Sequence, residues 1–389
     1  MDRRRVAVAH PRQVDRQTDF DTGEKTMTYT RRDFGRIALA GVPAGLLIDP
    51  AAAVAGLLQG KPNSKWAGVQ VGMNVPYNFK TGNYMTADDI IARCQQLGVS
   101  AMELRAQPVE LFMGSPAAVA GAAAGGNRGR RGGEGAAPAA AAAPAARGGD
   151  QAAAPAGRGE RGARGGGRAP LTPEQQAAQR AAAEETRKWR TSASMDKVKE
   201  FRGKFDAAGI ALQIIKWDGI FAMSDDEVDY CFQVSKALGA TALSTEISIE
   251  DTKRMGQFAD KHKMPIGYHG HATTSAADFE TVLSYAKFNA VNLDIGHYTA
   301  GQNESPVPFL KKHHDRITHV HIKDRKLKDG PNVPFGQGDT PIKEVLQLMR
   351  ANKWPFQATI EFEYPIPDGS DLNTELAKTV QYCKECLVG

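Results

Sequence analysis

The sequence predicts an α/β chain folded as a (β/α)8 TIM barrel, with a disordered Ala/Gly/Arg-rich insertion after the second strand. Three observations predict it. Short, continuous apolar runs rich in β-branched residues alternate with longer helix-like stretches, the pattern of buried parallel strands joined by crossover helices. The runs count to eight. Five segments place a side chain suited to metal binding at the strand end: Leu243-Ser-Thr-Glu246, Ile266-Gly-Tyr-His269-Gly-His271, Val291-Asn-Leu-Asp294-Ile-Gly-His297, Thr318-His319-Val-His321-Ile-Lys323-Asp324 and Thr359-Ile-Glu361-Phe-Glu363. Polar residues at the same end of successive strands describe a barrel whose site lies at its C-terminal face.

Taken in order, the first strand is expected at Gly68–Asn74 and its helix at Ala87–Leu97, with Thr86 as N-cap. The second strand is Ala101–Arg105. Its helix resumes beyond the insertion as one long charged stretch from about Thr172 to near Ala208. The third pair is Ala211–Trp217 and Asp225–Leu238, capped by Ser224; the fourth is Ala242–Glu246 and Glu250–Lys261. The fifth is Pro265–His269 and Ala276–Phe288, capped by Ser275; the sixth is Ala290–Asp294 and Val307–His314. The seventh strand, Ile317–His321, leads through a loop containing Gly336-Gln-Gly338-Asp339 to a helix at Ile342–Ala351. The eighth strand is Gln357–Glu361, followed by Asp371–Leu387.

The 389 residues would allow two average domains, but barrels of about 250 residues or more are single units. We read residues 1–60 as an export leader and linker, and 61–389 as the barrel, interrupted at 116–170. From Pro116 to Arg168 the chain is almost entirely Ala, Gly, Pro and Arg, without an aromatic residue, Leu or Ile. Such a segment cannot bury enough apolar surface to offset the entropy of ordering it. Its eight Arg against Glu134, Asp150 and Glu160 give +5, equal to the formal charge of the whole chain. The first sixty residues contribute +2, leaving −2 for the remainder. The alkaline balance therefore belongs to the appendages, and an acidic body argues against a nucleic-acid partner. The RGG-like composition is read as a tolerated low-complexity insertion.

Thr30-Arg31-Arg32-Asp33-Phe34 precedes a weakly apolar stretch, Ile37–Ile48, and the small-residue run Ala51-Ala52-Ala53. This resembles a twin-arginine (Tat) leader, with Met27 a plausible start, and implies handling by the Tat export machinery and a periplasmic or otherwise exported location. The stretch is too short and too broken by Gly and Pro to span a bilayer. Cys383-Lys-Glu-Cys386 is a lone pair of thiols at the end of a helical stretch. It lacks the second pair that a zinc site needs, and a helix C-terminus is the wrong end for a redox dithiol.

Residues two apart on a strand share a face, so His269 with His271, His319 with His321, and Glu361 with Glu363 are expected to point alike. Mixed carboxylate and imidazole donors without thiolates suit Mn, Mg, Co or Zn in a non-structural site. Candidate metal ligands are Glu246, His269, Asp294, His321 and Glu361; candidate catalytic groups are His271, His297 and Lys323. His319 is expected to be a structural partner inside the barrel, and Glu363 to pair with a lysine across the mouth. His262, His313 and His314 are expected to be solvated on helices. Trp217 and Tyr77 are open to either core packing or stacking on a sugar.

The segments YHGH, LDIGH, HVHIKD and IEFE resemble those of the xylose isomerase-like TIM barrels, the sugar phosphate isomerase/epimerase superfamily, over roughly Val69–Leu387 apart from the insertion. The group is similar in turn to inosose dehydratases, ketose 3-epimerases and dehydroshikimate dehydratases. The resemblance implies one divalent metal ion held by residues of strands five to eight, with Asp294, His321 and Glu361 matching the last three positions. The strand-five position, Glu in the family, falls on His269 here, so Glu246, His269 and His271 remain open as the source of the first ligand. The implied reaction is proton abstraction next to a carbonyl of a sugar or cyclitol, through an enediolate. His271, His297 and Glu246 are candidate bases, and Lys323 either holds an oxyanion or phosphate or pairs with Asp324 or Glu361. A metal-dependent isomerase, epimerase or related lyase is the leading reading. The alternatives are a non-catalytic sugar-binding barrel that retains the metal site, and a nuclease of the same fold, which the acidic body opposes.

Overall fold

A computed structural model describes residues 61–126 and 172–389. Its centre is a closed barrel of eight parallel strands: β1 (Val69–Val75), β2 (Ala101–Arg105), β3 (Ala211–Lys216), β4 (Ala242–Glu246), β5 (Ile266–His269), β6 (Asn289–Asp294), β7 (Ile317–Ile322) and β8 (Gln357–Ile360). Each strand pairs with its sequence neighbours, and β8 returns to β1 with Val71 opposite Ala358 and Met73 opposite Ile360. The strands are short because their amides must all be met by neighbours while both faces are buried. β6, for example, is buried at all six positions. A two-residue strand, Lys65–Trp66, pairs antiparallel with the start of β1.

The helices are α1 (Ala87–Leu97), α2 (Gln107–Met113), α3 (Pro116–Gly126), α4 (Pro173–Ser192), α5 (Met195–Ala208), α6 (Asp225–Ala237), α7 (Thr252–His262), α8 (Ala276–Tyr285), α9 (Ile295–Gln302), α10 (Val307–His313), α11 (Ile342–Asn352) and α12 (Leu372–Val388). Local chemistry fixes their starts. Thr86 accepts from the Asp89 amide at α1, Ser275 and Asp278 cap α8 reciprocally, and Asp371 accepts from the Thr374 amide at α12. Their apolar faces, such as Ile90 and Cys94 of α1 and Val345, Leu346 and Met349 of α11, close over the outside of the barrel.

Four expectations need correction. The insertion does not begin at Pro116: residues 116–126 form α3, because an alanine-rich run opened by proline is an intrinsically strong helix former, and Ala118 gives it a buried contact. The remaining 127–170 of that expectation lies outside the described residues, as does the whole leader. The long helix expected from Thr172 to Ala208 is two, because Ser194 breaks it and caps α5 through the Asp196 amide. Two short helices, α2 and α9, were not expected; each directly follows a strand end. His262 and His313 are only partly solvated. His262 stacks on Phe232 and pairs with Asp229 at 2.7 Å, and His313 pairs with Glu280 at 3.1 Å. His314 is exposed and stacks on Trp354.

One irregularity positions the site. Between β6 and β7 the register runs Val291 opposite Ile317, then Asn292 opposite His319, skipping Thr318. The extra residue brings Asn292 and Asp294 level with His319 and His321, all facing the barrel interior.

Candidate functional site

Inside the barrel the polar residues stack in two layers. The lower layer holds Glu103 of β2 and His319 of β7, both fully buried, with His319 Nε2 3.3 Å from Glu103 Oε1. The upper layer holds His269 at the end of β5, Asp294 at the end of β6, His321 of β7 and Glu361 just beyond β8. One donor atom from each of these four lies within 4.8 Å of every other, and all four side chains are buried.

His321 links the layers. Its Nε2 lies 2.6 Å from Glu103 Oε2, and its Nδ1 faces Glu361 Oε2 at 3.0 Å and Asp294 Oδ2 at 3.7 Å. A carboxylate behind one ring nitrogen fixes the ring and presents the other to the upper layer, as in a carboxylate–histidine–metal arrangement. Glu361 is steadied from the far side by the Asn74 amide, which donates to Oε1 at 2.9 Å. The buried His269 Nδ1 has no hydrogen-bond partner, and Asp294 Oδ2 makes ion contacts but no hydrogen bond of good geometry. Orphaned donor atoms among two carboxylates and two imidazoles fit a divalent ion of the Mg, Mn, Co or Zn kind.

Asp294 also organises its own loop. Its Oδ1 accepts the His297 amide at 2.8 Å and caps α9, which carries the His297 ring back to the mouth. Burial and the neighbouring Lys323 ammonium push the His297 imidazole down to about 3, so it is neutral. A neutral imidazole has a single acceptor nitrogen, yet His297 faces two cations: Arg325 Nη1 at 2.8 Å from Nδ1, and Lys323 Nζ at 2.9 Å from Nε2. Arg325 is anchored by the Gly330 carbonyl and Asp329. We therefore assign the acceptor to Nδ1 and the proton to Nε2.

Lys323 reaches across the upper layer. Its ammonium lies 3.1 Å from Asp294 Oδ2, 2.9 Å from Glu361 Oε2 and 2.5 Å from Glu363 Oε2. Burial opposes its charge, but the three carboxylates outweigh burial and hold it protonated. The expected lysine partner of Glu363 is thus Lys323, and Tyr77 donates its hydroxyl to Glu363 Oε1 at 2.6 Å. Asp324 is no partner of Lys323. It accepts the Gly336 and Gly338 amides at 2.8 and 2.9 Å, so that glycine-containing loop cradles a carboxylate of the chain itself.

Glu246 stands apart from the four-residue group. Its Oε1 lies 2.7 Å from the buried Lys216 ammonium and its Oε2 2.8 Å from His271 Nε2. Burial would raise the Glu246 carboxyl, but Lys216 and the neighbouring histidines hold it well below the usual range. Both Glu246 oxygens are engaged, one of them with His271, and Glu246 is not among the four close donors. The hydrogen bond that His271 donates to Glu246 raises the His271 imidazole above its ordinary value. His271 itself lies beyond the end of β5, in a turn. Its ring meets His269 at 4.9 Å and His297 at 5.0 Å between centroids. His269, His271 and His297 form a second cluster of close nitrogens, but the two cations on His297 make it a poor ligand set.

Four groups were missed in the sequence: Glu103, Lys216, Arg325 and Asn74. Glu103 and Lys216 did carry a signal, a charge within or ending an otherwise apolar strand, since such residues are almost never buried unless paired. Trp217 belongs to the core, with its indole N–H on Ser235 Oγ at 3.1 Å. Cys383 and Cys386 are buried on α12, and burial raises both thiols, which leaves them inert.

Over 154 residues the chain is 38% identical to an inosose dehydratase of Clostridium botulinum (strain Eklund 17B / Type B), covering 34% of this chain and 51% of that protein. Over 140 residues it is 26% identical to an inosose dehydratase of Salmonella agona (strain SL483), covering 30% and 46%. The chain spans about half the length of the curated relatives it matches. A crystal structure of D-psicose 3-epimerase with D-tagatose from Clostridium cellulolyticum H10 aligns with 82% of this chain and 99% of its own, at 10% identity and a TM-score of 0.49. The family described as Xylose isomerase-like TIM barrel matches residues 181–386, which hold β3 to β8 and every residue of the four-donor group. With the closed parallel barrel that surrounds them, this match shows that the chain belongs to the xylose isomerase-like TIM-barrel family.

Proposed function

We propose that this protein is a divalent-metal-dependent enzyme that removes a proton next to a carbonyl of a sugar or cyclitol, through an enediolate. Within the isomerase, epimerase and lyase reactions that begin this way, we favour a dehydratase. The observation that carries the reading is the buried His269/Asp294/His321/Glu361 group flanked by two imidazoles in complementary hydrogen-bonding states. A bound Mn, Mg, Co or Zn ion would supply a Lewis acid for the substrate carbonyl and an adjacent hydroxyl.

The protein groups supply the rest. Glu246 accepts from His271 Nε2, which leaves Nδ1 of His271 to take a carbon-bound proton. Lys216 holds Glu246 in that role. Arg325 donates to His297 Nδ1, so His297 Nε2–H is a hydrogen-bond donor, placed to orient a substrate hydroxyl. Elimination of water needs one base and one acid, whereas epimerisation needs a base on either face of the carbon. The acceptor nitrogen of His297 is taken by Arg325, so of the two histidines His271 serves as the base, and its imidazolium, held by Glu246, returns the proton to the departing hydroxyl. The relatives named inosose dehydratase support the same branch.

The test is metal analysis of the purified protein followed by incubation of the Mn-loaded form with keto sugars and inososes in deuterated water. The expected result is exchange or loss of one carbon-bound proton, with water elimination from an inosose-type substrate. Full metal occupancy without exchange or elimination on any of them would replace this reading with that of a sugar-binding barrel, which the histidine at the strand-five position favours. We further propose export through the Tat pathway, supported by Arg31-Arg32 and the weakly apolar stretch after them. An exported enzyme would meet unphosphorylated substrates. Cell fractionation checks this: Arg31→Lys with Arg32→Lys should retain the protein in the cytoplasm.

A further inference from the structure

The Lys323 ammonium touches the same atoms that a metal ion would. Asp294 Oδ2 and Glu361 Oε2 are its partners at 3.1 and 2.9 Å, and both residues belong to the four-donor group. One cation among several carboxylates is a stable arrangement in a buried site, and adding a divalent ion beside it places like charges against each other. Two further observations show where Lys323 goes. Glu363 offers it a third carboxylate at 2.5 Å, outside the four-donor group and oriented by Tyr77. Its contact with His297 Nε2 sets donor against donor, because Arg325 already occupies the acceptor nitrogen. Lys323 therefore has one place to move to and one contact that favours its moving.

Resting on the metal site argued above, we infer that Lys323 is a built-in counter-ion that competes with the divalent ion for Asp294 and Glu361 and withdraws onto Glu363 when the metal binds. The charges then match in pairs: Asp294 and Glu361 with one divalent ion, Glu363 with Lys323. Withdrawal also frees His297 Nε2–H to face substrate. Lys323 thus sets the metal affinity and couples loading to the release of a catalytic donor. Because coupling is reciprocal, the ion weakens the hold of Lys323 on the two carboxylates by the same factor that Lys323 weakens the ion.

Isothermal titration of the full-length, chelator-stripped protein with Mn²⁺ alone tests this, on wild type, Lys323→Gln, Glu363→Gln and the double variant. Lys323→Gln should bind Mn²⁺ more tightly than wild type, within the range of about 5- to 150-fold usual for coupled sites. Glu363→Gln should bind it more weakly, because Lys323 then has no alternative partner. The double variant keeps two amides in hydrogen-bonding reach and strands no unpaired lysine, so it remains measurable even if Lys323→Gln fails to fold. It should bind Mn²⁺ more tightly than Glu363→Gln. Equal affinities within that last pair, or within wild type and Lys323→Gln, overturn the inference and leave the metal site standing. Absence of Mn²⁺ binding by wild type at millimolar concentration overturns the site and the inference together.

Discussion

Glu103 shows how much of this site depends on residues that never face the substrate. It is fully buried in mid-strand and holds His321 Nε2 at 2.6 Å, so its loss frees the ring to turn away from Asp294 and Glu361. Glu103→Gln should weaken Mn²⁺ binding by about 10- to 100-fold, the usual effect of removing such a partner, while far-ultraviolet circular dichroism stays unchanged. Unaltered affinity would reduce Glu103 to a packing residue. At Asp294 two roles separate. Asp294→Asn and Asp294→Ala should both abolish Mn²⁺ binding in titration. Only the alanine variant should lose the cap on α9 as well, at about 0.5–2 kcal/mol of stability in urea unfolding. Asp294, His321 and Glu361 were legible in the sequence because each sits at or just past the end of an apolar run, and that position dictates which way it faces. Glu246 carried the same signal but stands outside the four-donor group, with Lys216 and His271 as its partners. Whether a carboxylate at the mouth is free depends on the neighbouring strand, and Lys216, at the end of an apolar run on β3, engages it. Strand-end position reveals the direction of a side chain but not its partner.

At the scale of elements the strands were legible nearly to the residue, since a buried parallel strand is a short apolar run and little else resembles it. The helices that escaped notice, α2 and α9, lie at strand ends where the chain turns under tertiary control. Asp294 reads as a ligand candidate in the sequence, yet it is also the N-cap that starts α9, and only the fold shows both. The flank of the insertion is the other case. Arg190 of α4 makes salt bridges to Glu110 of α2 at 2.8 Å and Glu227 of α6 at 3.0 Å, all three largely buried. One guanidinium thereby docks the helix after the insertion onto helices on either side of β3. Arg190→Ala leaves two buried carboxylates without their cation, and removing one partner from such a network typically costs about 3–5 kcal/mol. Urea unfolding should show a loss of that order with an unchanged slope. A loss below about 1 kcal/mol would mean that water replaces the guanidinium freely and that α4 is held by apolar contacts such as Trp189 against Tyr230.

On the scale of the whole molecule, charge and chemistry occupy different parts of the chain. The segment Pro116–Arg168 carries +5, the same as the entire protein, while the carboxylates of the site lie inside the barrel. No donor of the four-residue group comes from that segment. Its first part is α3, where Ala118 is buried, and α4, which follows it, is docked through Arg190. The region between them is composed of residues that offer a core almost nothing. Replacing 127–171 with a Gly/Ser linker of about 10 residues, which spans roughly 18 Å as a flexible chain, should therefore preserve both barrel and site. Two measurements check this. The thermal midpoint should stay within a few degrees of wild type, and the Mn²⁺ affinity should stay within about threefold, because none of the four donors comes from the replaced stretch and buried carboxylates respond less than exposed ones to distant charge. The isoelectric point, by contrast, should fall from about 8.9 toward neutrality, because removing the excess arginines takes the formal charge from +5 to about zero. If the shortened chain unfolds or loses the metal, the insertion is part of the folded body, and its composition has misled the reading of the domain.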